Sequence, residues 1–220
     1  MKRYFLLIFT LFFVLLIACK KQTYRINGTV ENEIFWGEKV YLVALDAPIT
    51  KNVDSTVIKN GSFHFRGEAD SMEVRILRFA PKFPDFVEDL VVVLEPGTIN
   101  AQLGVISSGH GTRLNYKLHE WKINKARYDS IQWNISRLKK SGNITQGKKD
   151  SLTNHAKELS DIFLSENLYT INKNIHNGIG LLLFKLYYHA IPAEERNKIL
   201  DKVGNIYFER DAQLRQQVQQ

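Results

Sequence analysis

The chain has 220 residues, of which 44% are hydrophobic and 24% are charged, and its formal net charge is +7. Its single cysteine, Cys19, excludes an internal disulfide and a CxxC redox pair, and the length is enough for one or two ordinary hydrophobic cores. The positive charge belongs to one central stretch, because residues 110–149 carry +8 whereas 20–108 and 150–220 carry −2 and −1.

The first 18 residues have the pattern of a secretory signal peptide. Lys2 and Arg3 form a short positive region, and an uncharged, mostly apolar run from Tyr4 to Ile17 follows it. An uncleaved transmembrane helix is the alternative. Such a helix needs roughly 20 apolar residues, and this run stops at Cys19 with two lysines directly behind it. We therefore predict that residues 1–18 are a signal peptide.

The end of the apolar run indicates the type of signal. Leu16-Ile17-Ala18-Cys19 resembles the lipobox of bacterial lipoproteins, in which a small residue precedes a cysteine. The resemblance implies cleavage before Cys19, a diacylglycerol on its thiol and an acyl group on the new amine; two or more chains hold stably in a bilayer. We therefore predict Cys19 as the lipid-attachment site, residues 19–23 as the lipidated tether, membrane lipid as a partner and the cell envelope as the location.

Residues 24–108 show the alternation and the turn signals of short strands. About seven such strands at this spacing predict an antiparallel β-sandwich. The predicted strands outside the central hairpin are 24–30, 39–43, 73–79, 89–94 and 98–103.

Asn60-Gly61 is the clearest turn signal, because both residues tolerate positive φ in a type I′ turn. A two-residue turn there predicts a hairpin over 55–66, with Ile58 opposite Phe63 and Thr56 opposite Phe65. All four side chains would then share one face of the hairpin, which makes the register self-consistent.

Residues 109–220 change to the period of amphipathic helices. The glycine-containing segment 104–111 is interpreted as the linker, and Ser141-Gly142-Asn143 as a helix end. Asn143 or Thr145 is the candidate cap of the next helix, and the tail from Arg215 is predicted to be frayed. The predicted class is α+β, with an N-terminal antiparallel β-sandwich followed by an all-α helical segment. Segment 179–188 is apolar nearly all round and is predicted to be a buried helix. The apolar stripes are Leu114, Leu118, Trp121, Tyr128, Ile131, Ile135 and Leu138, then Leu152, Ala156, Leu159 and Phe163, and then Ile199, Leu200, Val203 and Tyr207.

The order and spacing of five motifs resemble the family called domain of unknown function 4369. The usual arrangement in such proteins is a lipoprotein signal, this β domain, a helical segment and a thioredoxin-like domain with a WCxxC site. The resemblance implies a relation to thiol-disulfide lipoproteins, but without WCxxC it implies no redox activity here. The motifs are Tyr24-x-Ile26-x-Gly28-x-Val30, Gly37-x-Lys39-Val40-Tyr41-Leu42, Val53-Asp54-Ser55 with Asn60-Gly61-Ser62-Phe63-x-Phe65-x-Gly67, Leu94-Glu95-Pro96-Gly97 and Gly111-Thr112-x-Leu114-Asn115.

Candidate chemistry is sparse in the sequence. The six histidines, at 64, 110, 119, 155, 176 and 189, form no HExxH or similarly spaced ligand set. His155 and Glu158 share a helix face and are interpreted as a solvated pair, because a metal centre needs further ligands. There is no GxSxG, Walker loop or GxGxxG after a strand. We therefore expect no catalytic residues, no metal and no cofactor.

The basic stretch interleaves cations with aromatic residues, a pattern that nucleic-acid-binding proteins also use. The aromatic residues fall mostly on the apolar stripe and are predicted to be core, and an exported protein is not expected to meet nucleic acid. The cations are interpreted as a solvated helix face, with contact to anionic lipid head groups as the alternative. The residues are Lys117, Lys122, Lys125, Arg127, Arg137, Lys139 and Lys140, with Trp121, Tyr128 and Trp133.

Together these features predict a membrane-anchored lipoprotein of the cell envelope with a non-catalytic binding or scaffolding role. The alternative is an accessory, or a separated half, of a thiol-disulfide oxidoreductase or nutrient-uptake system, with a thioredoxin-like protein or an outer-membrane protein as partner. An enzyme whose site is not a local motif is the third hypothesis.

Overall fold

The structure is a computed structural model that describes residues 22–219, except 46, 50–52 and 143. A single turn of 3-10 helix, Glu33–Phe35, joins the first two strands. The strands are β1 Thr23–Val30, β2 Lys39–Ala44, β3 Asp54–Val57, β4 Ser62–Glu68, β5 Val74–Phe79, β6 Leu90–Val93, β7 Gly97–Leu103 and β8 Ser108–His110. The helices are α1 Arg113–Lys140, α2 Gln146–Lys173, α3 Gly178–Tyr187, α4 Ala193–Arg210 and α5 Ala212–Val218.

The eight strands form two four-stranded sheets that pack face to face. The first sheet has the order β4-β1-β7-β8 and the second β3-β2-β5-β6. Buried side chains from both sheets fill the space between them. This confirms the predicted α+β class and the sandwich. The prediction of wholly antiparallel pairing is wrong at one place, because β1 and β7 are parallel; strands so distant in sequence give no local signal of their pairing.

The turn at Asn60-Gly61 is confirmed, but the hairpin that it was expected to close is not. The two residues have φ values of 48° and 75°, as a tight turn of this type requires. Beyond the turn the flanking strands separate into different sheets. Thr56 pairs with Val40 of β2, whereas Phe65 pairs with Ile26 of β1. The alternation therefore predicted correctly which side chains face the core. The predicted pairing of Thr56 with Phe65 is wrong because the chain changes from one sheet to the other at this corner.

The helices cover the outer face of the second sheet. Val74 and Val93, from β5 and β6, belong to the same buried cluster as the apolar side chains of α3 and α4. Seven of the ten residues of α3 are buried. The continuous apolar run of β6 is typical of a strand buried on both faces. The second sheet is thus the middle layer of three, between the first sheet and the helices.

The segment 104–111 is not the linker that its glycines suggested. Ser108–His110 forms β8, which pairs with β7 at the edge of the first sheet. The predicted boundary between residues 108 and 109 therefore falls within a strand. Only three residues pair, and so short a strand carries too little alternation to be recognised from sequence.

The ends of the long helices agree with the sequence. The helix α1 ends at Lys140, and Thr145 caps α2 by accepting a hydrogen bond from the backbone N–H of Lys148 at 3.4 Å. The expectation of a frayed tail is wrong as far as Val218, because Asp211 caps α5 and Leu214 is fully buried.

The hydroxyl of Tyr187 is buried, and no hydrogen-bond partner for it is found in the described part of the chain. Burial raises the pKa of Tyr187 from 10.0 to about 12, with nearby Asp129 adding to the shift. Because burial disfavours the phenolate, the free energy of unfolding is unaffected by this titration below pH 10 and declines as the pH rises through about 12. Tyr187→Phe is therefore expected to raise the free energy of unfolding by up to about 1 kcal/mol at neutral pH and to weaken its alkaline decline.

Tyr207→Phe is the matched control for that substitution, measured by urea unfolding at pH 7 and pH 11. The Tyr207 hydroxyl donates a hydrogen bond to the backbone oxygen of Ile175 at 2.9 Å. Its removal is expected to lower stability by about 1 kcal/mol. Equal losses in the two variants at neutral pH would contradict the assignment of Tyr187 as the unpartnered phenol.

Candidate functional site

A cluster of buried polar side chains lies where the turn between β6 and β7 meets the start of α1. Glu95 is only 7% exposed, and its carboxylate accepts hydrogen bonds from the backbone N–H groups of Leu114 and Asn115. The Asn115 side chain accepts from the Val93 N–H at 3.0 Å. It also donates to the Val93 oxygen and to the Thr112 hydroxyl, both at 2.8 Å. We call Glu95, Thr112 and Asn115 the interlock.

The interlock satisfies backbone groups that would otherwise be buried without partners. A carboxylate at the first turn of a helix meets both the free N–H groups and the positive end of the helix dipole. Gly111, just before α1, has a φ of 103°, and a Cβ there would lie 2.4 Å from the Thr98 oxygen. Two of the five sequence motifs thus meet to fix α1 against the sandwich. Their polar groups are occupied within the protein, so this cluster is structural.

The residues that the sequence singled out for chemistry are dispersed. His64 lies exposed on the outer face of the first sheet, 3.2 Å from the Asn27 side-chain oxygen. His110 lies against Tyr116, and the exposed His155 is 3.9 Å from Glu158. One ring nitrogen of His119 is buried with no partner found in the described chain. Within the described residues, no three His, Cys, Asp or Glu side chains are grouped to hold a metal.

Cys19, the predicted lipid-attachment site, lies outside the described residues. Among the residues that are described, no helix combines the length and the apolar character needed to cross a bilayer.

A groove of about 530 Å³ separates the bases of α1 and α2. The buried side chain of Asn167 lies in its floor and accepts a hydrogen bond from the Trp121 indole at 2.8 Å. Its amide donates to the Phe163 oxygen at 2.7 Å. These buried groups therefore hold the two helices together, and in the described chain no polar atom of the groove is both buried and unpartnered.

Exposed apolar side chains collect at one end of the sandwich, where β1 finishes at Val30. They come from three connections, those between β1 and β2, β5 and β6, and β7 and β8. Phe83 is 98% exposed and Ile106 is 82% exposed. Contacts hold the three connections together, since the Lys82 amine donates to the Ile34 oxygen at 3.0 Å and the Glu88 N–H to the Gly104 oxygen at 2.8 Å. We call this surface the distal rim; it consists of Ile34, Trp36, Phe83, Phe86, Val105 and Ile106.

In the loop between β5 and β6, charged side chains are paired within the protein, whereas the phenyl rings face solvent without a partner surface among the described residues. Lys82 forms an ion pair with Glu38 at 2.7 Å, and Glu88 binds Lys122 of α1 and the Ser107 N–H. Phe83 and Phe86 face solvent beside a cavity of about 840 Å³. Surface loops of soluble proteins usually show the reverse arrangement, and a contiguous exposed apolar patch marks an interaction surface.

Sequence reasoning missed the distal rim. A signal was present, because Phe83 and Phe86 lie in a predicted loop between strands, and Val105-Ile106 lies in the segment interpreted as a linker. Large apolar residues in such segments have no role in a core. Their convergence at one end of the sandwich depends on the strand order, which the sequence patterns do not specify.

The basic stretch divides into two parts along α1. Near the sandwich three of its cations are occupied, since Lys117 donates to Asn174, Lys122 to Glu88 and Lys125 to Asp129. The expectation that Trp133 is core is wrong, because this side chain is 63% exposed. Trp121 and Tyr128 are partly buried, and the Tyr128 ring stacks on Phe163 with centroids 4.2 Å apart.

No curated protein and no solved structure matches the chain. A family model described as "Domain of unknown function (DUF4369)" matches residues 24–146, which is more than half of the chain. The matched segment runs from β1 to the end of α1 and the first residue of α2, so it contains the whole sandwich and both sides of the interlock. The chain therefore belongs to the DUF4369 family.

Proposed function

We propose that this protein is a lipid-anchored docking protein of the bacterial cell envelope, with no catalytic role of its own. Its distal rim binds a protein that is associated with the same membrane. The observation that carries the proposal is the rim itself, where phenyl and aliphatic side chains face solvent while the polar groups of the same loops are used internally. The signal peptide and the lipobox at Cys19 support the location.

The rim lies far along the sandwich from Thr23, the first residue of β1. Cys19 lies four residues before Thr23, a distance of about 14 Å in a fully extended chain. The eight residues of β1 then place the rim about 26 Å further along the sandwich. The rim and the start of β1 are therefore at opposite ends of the β-sandwich, and the rim is available to a partner.

The proposal is tested by placing a photo-crosslinking amino acid at Phe83 or at Ile106 in cells of the native host. Both positions are expected to give an adduct with the same protein, because both side chains belong to one exposed surface. The same probe at Arg66, exposed on the outer face of the first sheet, is the control and is expected to give no such adduct. A thioredoxin-like partner would favour a thiol-disulfide pathway, and an outer-membrane transporter would favour nutrient uptake.

Phe86→Asp is expected to abolish the adduct at Ile106 without changing protein abundance. Labelled palmitate is expected on the wild-type protein and not on a Cys19→Ser variant. Adducts with lipid alone would show that the rim enters the bilayer, and adducts that are equally strong from Arg66 would show that the rim is not a docking surface.

A further inference from the structure

We infer that the tip of the α1–α2 hairpin, residues 133–142 with 144–149, binds the surface of a bilayer that contains anionic phospholipids. Nothing in this inference depends on what occupies the distal rim.

Five cations converge on the tip without a carboxylate partner among the described residues. Three of them lie in the last turn of α1, where the helix dipole favours them. Lys148 and Lys149 lie in the first turn of α2, where the dipole disfavours them and no acidic residue compensates. Asp150, the nearest acid, accepts a hydrogen bond from Gln146 instead. The cations are Arg137, Lys139, Lys140, Lys148 and Lys149.

This arrangement differs from the base of the same hairpin. There Lys122 and Lys125 form ion pairs at 2.5 Å with Glu88 and Asp129. Repulsion among the unpaired like charges at the tip lowers the stability of the protein. An external anionic surface would offset this cost. A solvated helix face and the helix dipole account for the three cations of α1, but neither accounts for Lys148 and Lys149 in the first turn of α2.

Apolar side chains at the tip identify the kind of anion. Trp133 is 63% exposed and Leu138 is also exposed. The Arg137 guanidinium lies over the Trp133 ring, 5.3 Å from its centroid. Cations beside tryptophan and leucine are the combination that proteins use at the boundary between lipid head groups and acyl chains. An acidic protein surface or a nucleic acid would use the cations but would not require an exposed Leu138.

The tip is remote from the start of β1. The helix α1 runs antiparallel to β8, and the Lys122 amine donates a hydrogen bond to the Ser107 oxygen. The 18 residues of α1 that follow Lys122 extend the helix about 27 Å beyond that point. Beyond Lys122, its described side-chain hydrogen bonds are internal or go to α2. If Cys19 is lipidated, as the proposed function states, the protein would contact the membrane through both the lipid and the tip. Its long axis would then be parallel to the membrane surface.

Vesicle binding tests the inference with the chain from Lys20 to Gln220, which keeps every described residue and carries no acyl group. It is mixed with vesicles of phosphatidylcholine alone or of phosphatidylcholine and phosphatidylglycerol in equal amounts. Binding is expected only to the anionic vesicles and is expected to weaken as sodium chloride is added. Trp133 should enter the interface, so tryptophan emission should shift to shorter wavelength, and Trp133→Phe should remove that shift.

Lys140→Gln with Lys148→Gln is expected to weaken binding about 25-fold, because each cation near such a surface contributes about fivefold. Lys59→Gln with Lys202→Gln removes the same charge from exposed positions away from the tip and is expected to leave affinity nearly unchanged. Equal loss in the two double variants, or binding without a Trp133 shift, would overturn the inference. Failure of the wild-type chain to bind anionic vesicles would also overturn it and would leave an acidic protein surface as the partner of these cations.

Discussion

Glu95→Ala is expected to lower the free energy of unfolding by about 3 kcal/mol. The substitution leaves the N–H groups of Leu114 and Asn115 buried without the carboxylate that accepts from them. It also removes a negative charge from the positive end of α1. Glu95→Gln keeps an acceptor oxygen and is expected to cost less, about 1 kcal/mol. Urea unfolding followed by circular dichroism and tryptophan fluorescence measures both variants.

Glu120→Ala is the matched control, because Glu120 lies on the same helix but is exposed. It is expected to change stability by less than about 0.5 kcal/mol. A Glu95→Ala variant as stable as Glu120→Ala would show that the interlock does not hold α1 to the sandwich. If only the helical signal were lost while the sandwich stayed folded, the interlock would couple the two parts rather than stabilise each.

Gly28→Ala is expected to destabilise the sandwich by about 3 kcal/mol. Gly28 lies directly opposite Phe63 in the pairing of β1 with β4. The Phe63 ring covers it so closely that an added Cβ would lie 1.9 Å from the nearest ring carbon. The ring is fully buried and has no space into which it can move without disturbing the core. Thermal and urea unfolding of the purified variant measure the effect.

The double variant Gly28→Ala with Phe63→Leu tests the cause. Phe63→Leu alone is expected to cost about 1–2 kcal/mol through lost burial. The smaller side chain leaves room for the new methyl group, so the double variant should be no less stable than Gly28→Ala alone. Gly147→Ala, where nothing lies within 4 Å of the added carbon, is expected to be neutral or stabilising. Strictly additive losses at positions 28 and 63 would rule out the steric explanation.

Local patterns predicted the elements of this fold well and their partners poorly. Alternating apolar residues predicted β1, β2 and β7, and the apolar patterns of helices predicted α1 to α4. Each of these patterns depends only on the residues of one element. The corner at Asn60-Gly61 shows the limit. Its turn chemistry depends only on two residues, whereas the separation of Thr56 and Phe65 into different sheets depends on the pairing of both with distant strands.

The motif residues illustrate the same limit for function. Gly28 and Gly67 were recognised as parts of a family pattern, but the pattern does not explain why glycine is needed there. The requirement is steric, since the rings of Phe63 and Tyr24 lie across the two glycines. Glu95 and Asn115 belong to two separate motifs in the sequence, and they act together only because the turn before β7 meets the start of α1. The distal rim had no motif, because its members come from three separate connections.

The position of the second sheet as the middle layer bears on how the chain folds as it is synthesised. The strands leave the ribosome before the helices that follow them, so Val74 and Val93 face solvent until α3 arrives about 85 residues after Val93. During that interval the nascent sandwich exposes an apolar sheet face, a surface that invites aggregation or the binding of a chaperone. Completion of the native state therefore waits for the C-terminal third of the protein, although the sandwich itself is encoded first.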